Sequence, residues 1–451
     1  VAAEDVDLIV IGSGQGGVPL ARDFARAGKH VAIFERALVG GTCVNNGCTP
    51  SKAFLAAAHA AGRARRAAPL GIFADVRVDQ RAALARVRSV RDEWHDGSER
   101  KLAELKVDLV RASASFTGER TVAGGGRELR APLVVIDSGA RPIVPSIPGL
   151  DGTPYFTNEN WFEQETLPER LIVIGGGYIG LELGQGAQRL GSSVTILNAA
   201  DRVLPREEAD ASEVIAASLE RDGVRLVSNA RVASVAHDRS IFAVTLEDGR
   251  TFEAEGLLVA TGRAPNTGDL AAERGGVELE PNGTVRVDTF LRTTCAGTYA
   301  IGDVAGQPAF THVSWEDYRR LSSTFAGKPR ERDDRVLSYS TFTEPQLART
   351  GLSPEQARAR GLDVRVETLQ LEDVARGEEW NLPEGFFRLV ADRATGKILG
   401  ATLVGYEAGE IVHAIGFGIQ LGATWRDLDD FVAIHPTFGE GLPSLARLFE
   451  G

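Results

Sequence analysis

Twice in this 451-residue chain a short apolar run ends in clustered glycines, passes into a helical pattern and returns as a second apolar run. In the first unit, Val6-Asp-Leu-Ile-Val-Ile11 reads as a buried strand and Gly12-Ser-Gly14-Gln-Gly-Gly17 as a tight turn. Val18 to Ala27 reads as a helix, and Val31-Ala-Ile-Phe34 as the next strand, closed by Glu35. In the second unit, Leu171-Ile-Val-Ile174 is the strand, Gly175-Gly-Gly177-Tyr-Ile-Gly180 the turn, Leu181 to Leu190 the helix and Val194-Thr-Ile-Leu197 the return strand, followed by Asn198. The glycines allow the turn, the close approach of a pyrophosphate and tight packing of helix on strand. The helix N-terminus then offers backbone N–H groups to phosphate. An acid about twenty residues after the turn, here Glu35, takes ribose hydroxyls. Two such units imply two dinucleotides, one kept and one exchanged. At the second site the residue after the return strand reads the ribose 2′-position, and Asn198 carries no charge for that task.

Between these units lies Gly41-Thr-Cys-Val-Asn-Asn-Gly-Cys-Thr-Pro-Ser-Lys52, which holds two of the three cysteines, Cys43 and Cys48. A strong helix former follows from Lys52 to Ala61. A cysteine at a helix N-terminus has its thiolate favoured by the backbone dipoles, and two cysteines one turn apart can close and reopen a small disulfide ring. A structural pair or half a zinc site is the plainer reading. Zinc needs further ligands at proper spacing, and His59 alone does not supply them. No metal site is expected.

The window from Gly40 to Lys52 fits Gly-Gly-x-Cys-x4-Cys-x-Pro-[Ser/Thr]-Lys. Here the chain resembles the flavin-dependent pyridine nucleotide–disulfide oxidoreductases, which include dihydrolipoamide dehydrogenase, glutathione reductase and mercuric reductase. The resemblance runs from the first strand to the last helix. It implies an α/β fold: two Rossmann-like domains, for FAD and NAD(P), and a C-terminal α+β dimerisation domain. The expected boundaries are 1–142 for the first FAD segment, 143–265 for the NAD(P) domain, 266–336 for the second FAD segment and 337–451 for dimerisation.

The resemblance also assigns residues. FAD falls to Gly12, Gly14, Gly17, Glu35, Gly41, Thr42, Lys52 and Gly139, with Gly302 and Asp303 at the ribityl chain. The family usually has Ala-Thr-Gly where this chain has Asp137-Ser-Gly139, a departure at two positions. NADPH or NADH falls to Gly175, Gly177, Tyr178, Gly180, Asn198 and Gly262, with Asn198 leaning towards NADPH and Arg202 or Arg206 near enough to reach a phosphate. Tyr178 stands where relatives cover the flavin until nicotinamide displaces the ring. Glu182 pairs with Lys52 in the family. Cys48 is the thiolate nearer the flavin and Cys43 the interchange thiol. His435-Pro-Thr-x-x-Glu440 is the second signature. A histidine titrates in the range that disulfide exchange needs, and a carboxylate behind it fixes its tautomer. In the family this pair reaches into the other subunit's cysteine site, so a homodimer is expected.

Composition excludes several alternatives. The net charge of -12 argues against non-specific nucleic-acid or anionic-membrane binding. No apolar run has membrane length, no leader is visible at Val1, and three cysteines is the usage of a reducing compartment, so a cytoplasmic protein is expected. The function read from the chain is an FAD-dependent NAD(P)H:disulfide oxidoreductase acting on a small disulfide. Dihydrolipoamide dehydrogenase is an alternative. So is a metal reductase of the mercuric type, although the chain ends Ala446-Arg-Leu-Phe-Glu-Gly451 without a cysteine pair. An alternative of another class is a redox-sensing flavoprotein with no disulfide chemistry. Other expectations are local. Leu84, Val87, Val90, Trp94 and Leu102 share one face of a helix over 79–106, His95 lies on the surface, Cys295 is a packed thiol, His312 either contacts the flavin or has a plain structural role, and helices cover 409–421 and 426–432.

Overall fold

The structure is a computed structural model, and it describes residues 3–450. The first glycine unit builds a five-stranded parallel sheet, ordered Thr298–Ala300, Leu133–Ile136, Leu8–Ile11, Val31–Phe34 and Asp108–Val110. Leu8–Ile11 is buried at all four positions, which explains why its sequence is continuously apolar rather than alternating. The second unit builds a four-stranded parallel sheet, ordered Arg225–Val227, Ser193–Leu197, Arg170–Ile174 and Gly256–Val259. The chain crosses between the two at Ala140–Pro142 and returns at Arg263–Pro265, and these segments pair antiparallel. Ser138 and Asn266 lock the crossing: the Ser138 hydroxyl donates to the Asn266 carbonyl (2.9 Å) and the Asn266 amide to the Ser138 carbonyl (2.9 Å).

The C-terminal part is a five-stranded antiparallel sheet, ordered Ser338–Thr341, Gln346–Gly351, Ile398–Gly405, Phe386–Asp392 and Val364–Gln370. Helices Ala408–Leu421 and Gly441–Arg447 bury Val412, Ile415, Leu442 and Leu445 in its apolar cluster. The hairpin read at Asp392–Gly396 joins two of these strands. The fold is thus the α/β class expected, two Rossmann-like domains and an α+β third.

Helix Cys48–Arg65 packs on helix Tyr178–Leu190. Gly186 makes the approach possible, because a β-carbon there would stand 2.3 Å from the Phe54 ring. At one end of this contact the three domains meet on a buried ion cluster. The Glu344 carboxylate accepts from Arg63 (2.6 Å), Arg66 (2.8 Å) and Arg189 (2.7 Å), and Arg189 also donates to Asp222 (2.7 Å). Burial alone would raise the Glu344 pKa, but the arginines outweigh it and hold it low. Burial pushes His59 down to about 4. The neutral ring accepts from Arg189 at Nδ1 (2.8 Å) and donates from Nε2 to the Phe342 carbonyl (3.2 Å).

Three local expectations are corrected. Trp94 is 62% exposed. At 3.6 residues per turn Leu84, Arg91, His95 and Leu102 fall on one line of the helix Gln80–Glu104, and Trp94 falls to its edge. His95 consequently packs inward, its Nδ1 donating to the Val39 carbonyl (3.0 Å). The helix expected to 432 stops at Asp429, and Phe431 and Val432 are exposed beyond it. Cys295 is buried, as expected.

Glu344→Gln leaves Arg189 buried and under-compensated. Loss of one partner from such a cluster costs about 3–5 kcal/mol, so a marked fall in thermal midpoint is expected, with no change in flavin absorbance per mole of folded protein.

Candidate active site

A single cavity of about 2430 Å³ runs between the carboxyl ends of the two parallel sheets and reaches both cysteines. A site for one small molecule measures about 300–1,000 Å³, so this one has room for two dinucleotides. Gly12 (φ +98°) and Gly14 line it, and neither has room for a β-carbon: one at Gly12 would meet the Asp137 carbonyl oxygen at 2.3 Å. Gly41 (φ +62°) lies against Gly14 with 3.0 Å for an added β-carbon. Glu35 is buried and aimed by Ser13, whose N–H (3.0 Å) and hydroxyl (2.6 Å) both donate to it, and by the Ala37 N–H (2.8 Å). Asn45 and Asn46, beside the cysteines, each keep a buried side-chain oxygen without a partner. A glycine turn facing a helix N-terminus, an oriented acid and unpartnered polar atoms fit FAD. Gly139 and Thr42 line the same space, and Asp303 stands 3.6 Å from Arg263, its pKa raised by burial against the pull of that arginine. The Gly302 N–H (φ +69°) donates to Asp317 (2.9 Å).

Asp137 departs from the family at the most constrained point. Its carboxylate accepts the Gly17 N–H (2.6 Å) at the start of the first helix. Burial pushes its pKa up to about 8, helped by Asp303 and Asp317 and opposed by the N–H groups of Gly17 and Gly16.

On the second sheet, Gly175 (φ +121°) and Gly180 are equally closed, with 2.4 Å to the Ala260 carbonyl oxygen and 2.1 Å to that of Gly175 for an added β-carbon. Gly177, by contrast, is open, and Gly262 holds φ +142°. The Asn198 amide is already engaged, donating to the carbonyls of Ala200 (3.1 Å) and Arg202 (2.7 Å). Only its carbonyl oxygen remains for a ribose.

The cysteines stand unbridged. Cys43 sits on the one-turn helix Gly41–Asn45, and Cys48 begins the 18-residue helix Cys48–Arg65. The Cys43 thiol is the main reason that Cys48 is lowered to about 6; Thr311 and Lys52 add to it, against burial and Glu182. Cys48 and burial in turn raise Cys43. The Thr311 hydroxyl lies 3.1 Å from the Cys48 sulfur. Lys52 and Glu182 pair at 2.8 Å, although 130 residues apart, and the other Glu182 oxygen accepts the Phe342 N–H (2.9 Å). Tyr178 and His312 line the cavity, both against Phe310. His435 and Glu440 pair at 2.7 Å but do not line it; His435 is 74% exposed, beside the exposed Val432 and Ile434.

The pyridine nucleotide-disulphide oxidoreductase family profile matches residues 6–317, and that family's dimerisation domain matches residues 337–446. The chain belongs to this family. A mercuric reductase of Bacillus cereus is 34% identical over 452 residues, which is 99% of this chain and 72% of the relative. The probable pyridine nucleotide-disulfide oxidoreductase RclA of Escherichia coli is 32% identical over 450 residues, 98% of each chain. The solved structure of that HOCl-induced flavoprotein disulfide reductase superposes with a TM-score of 0.89, covering 98% of this chain and 99% of its own. The protein is therefore an FAD-dependent NAD(P)H:disulfide oxidoreductase, and its dimerisation domain makes it a homodimer.

Sequence reasoning overlooked Thr311, although it directly precedes His312. It also overlooked Glu207, Tyr339 and Arg349, which no spacing links.

Folded Asp137 holds its proton more tightly than the unfolded chain does. Its contribution to stability is whole below the ordinary carboxyl pKa and is lost as pH rises towards about 8. Asp137→Asn keeps an acceptor for Gly17 without the charge. Melts of the flavin-saturated protein should show the variant's advantage widening from about pH 5 to about pH 8 and levelling off above.

Proposed function

We propose that the enzyme passes the electrons of NADPH to a small disulfide through Cys48 and Cys43. The observation that carries this reading is the divided pair of thiols, one acidic at a helix N-terminus beside Thr311 and one held protonated. FAD, when bound, relays two electrons from the nicotinamide to sulfur. Gly12, Gly14, Gly17 and Glu35 hold its ADP half, and Gly175, Gly177 and Gly180 hold the pyrophosphate of the exchanged nucleotide.

Lys52, held in place by Glu182, brings its ammonium near the Cys48 sulfur, where it favours thiolate over thiol and Glu182 partly offsets it. Cys43 attacks one sulfur of the substrate, releasing the other as a thiolate. Cys48 then attacks Cys43 in the mixed disulfide, releasing the second product and closing the Cys43–Cys48 bond. His435, oriented by Glu440, takes the Cys43 proton and returns it to the leaving thiolate. Because this pair lies outside its own chain's cavity, the second subunit supplies it, and each site of the homodimer is shared. NADPH is favoured over NADH because Asn198 brings no carboxylate, while Arg206 and Arg231 line the same cavity. The low cysteine count supports a cytoplasmic enzyme.

The test pairs NADH and NADPH with lipoamide, glutathione disulfide and mercuric ion on one plate. Turnover of a disulfide with NADPH, abolished in Cys48→Ser with FAD retained, is the expected result. Full turnover in that variant would instead show that the acceptor is reduced without the Cys43–Cys48 pair, and would overturn this reading.

In the reduced enzyme, alkylation of Cys48 should rise with pH through a midpoint near 6. Thr311→Val removes a hydrogen bond to the thiolate and should raise that midpoint by about one unit.

A further inference from the structure

One buried carboxylate gathers polar groups from two domains at the edge of the cavity. Glu207 lies between the strand Ser193–Leu197 and the helix Ala209–Arg221, and its side chain is 1% exposed. It accepts from the Tyr178 hydroxyl, from the Tyr339 hydroxyl (3.1 and 3.2 Å to its two oxygens) and from Arg349 (3.1 Å). Tyr339 and Arg349 face each other on paired strands of the C-terminal sheet. Arg349 is anchored further by Gln356 (3.2 Å). The Glu207 backbone is tied down as well: its N–H donates to the Leu204 carbonyl (2.9 Å), and the Leu204 N–H to Gly176 (2.9 Å).

All of these groups line the cavity, but Tyr178 alone belongs to the second glycine turn, where it opens the helix Tyr178–Leu190. The ring packs on Tyr339 (6.2 Å, edge-on) and on Phe310 (6.4 Å), and Phe310 stacks on Tyr339 (5.2 Å). Phe310 directly precedes Thr311, the residue that touches Cys48. The aromatic group thus stands between the second glycine turn and the cysteine site, and the Tyr178 hydroxyl is bound to a buried carboxylate that is paired with Arg349. Hydrogen bonds to charged groups are roughly twice as strong as neutral ones. Burial, Glu207 and Tyr339 together raise the Tyr178 pKa, so the phenol stays a donor.

We infer that Glu207, braced by Arg349, is a latch that holds the Tyr178 ring in the cavity and sets the cost of admitting the nicotinamide. Glu207 is a positioning residue, acting through Tyr178. This inference rests on the proposed role of Tyr178 as the ring that nicotinamide displaces. Each binding event must break the phenol–carboxylate bond, so nucleotide affinity is lower than the pocket alone would give. Cutting that bond while keeping the ring should tighten binding.

The experiment measures dissociation constants of NADP+ and NAD+ for the oxidised holoenzyme by titration calorimetry, with KM and kcat for the reduced nucleotide alongside. Tyr178→Phe keeps the ring and leaves the Glu207–Arg349 pair intact. It should lower the dissociation constant and KM about ten-fold. Glu207→Gln should act in the same direction, and the double variant should equal Tyr178→Phe rather than add to it. Tyr318→Phe is the control, because it removes a like phenol–carboxylate bond (2.7 Å to Asp23) elsewhere, and should change neither constant. Tyr178→Ala tests the underlying role. If it alters nucleotide affinity while Tyr178→Phe does not, the ring gates the site and the latch is overturned. If neither alters affinity, the role of Tyr178 falls and the latch with it. If Glu207→Gln fails to fold, the Tyr178→Phe result decides alone.

Discussion

The contact between helices Cys48–Arg65 and Tyr178–Leu190 is the constraint on which the site depends. One helix carries Cys48 and Lys52, the other Tyr178 and Glu182. Their partnership is set by the depth to which Phe54 sinks over Gly186. A side chain at Gly186 would push the two helices apart, and the 2.8 Å ion pair between Lys52 and Glu182 would open with them. The ion cluster at Glu344 closes the same interface from the other end and ties in the third domain. Apolar depth and charge pairing therefore enforce the same geometry from two sides.

Charge is distributed unevenly around the sulfurs. Cys48 has the Cys43 thiol, a hydroxyl and a nearby ammonium to favour its charged form, while Cys43 is raised by Cys48 and by burial. The backbone reinforces this asymmetry, because only Cys48 stands at the N-terminus of a long helix.

Much of this architecture was legible in the chain. The glycine turns, their strands and Glu35 form an ordered local pattern, and the cysteine window is long enough to specify its neighbours by resemblance, including Glu182 at a distance of 130 residues. What escaped was long-range and side-chain in character. Glu207 meets Tyr178, Tyr339 and Arg349 only because three separate segments converge, and nothing periodic records that. Trp94 and His95 were exchanged because adjacent residues on a helix differ by about a quarter turn, less than an apolarity pattern resolves. Asp137 was visible as a departure, but its burial under the first glycine turn was not.

The paired crossing between the two nucleotide halves has a mechanical consequence. A single connecting strand behaves as a swivel, whereas Ala140–Pro142 and Arg263–Pro265 run side by side, hydrogen-bonded and cross-tied through Ser138 and Asn266. A two-stranded ribbon resists shear and bends about one axis. Relative displacement of the halves is thus confined to a narrow arc, and traffic of the nucleotide through the cavity falls to the rearrangement of individual side chains rather than to the opening of a cleft.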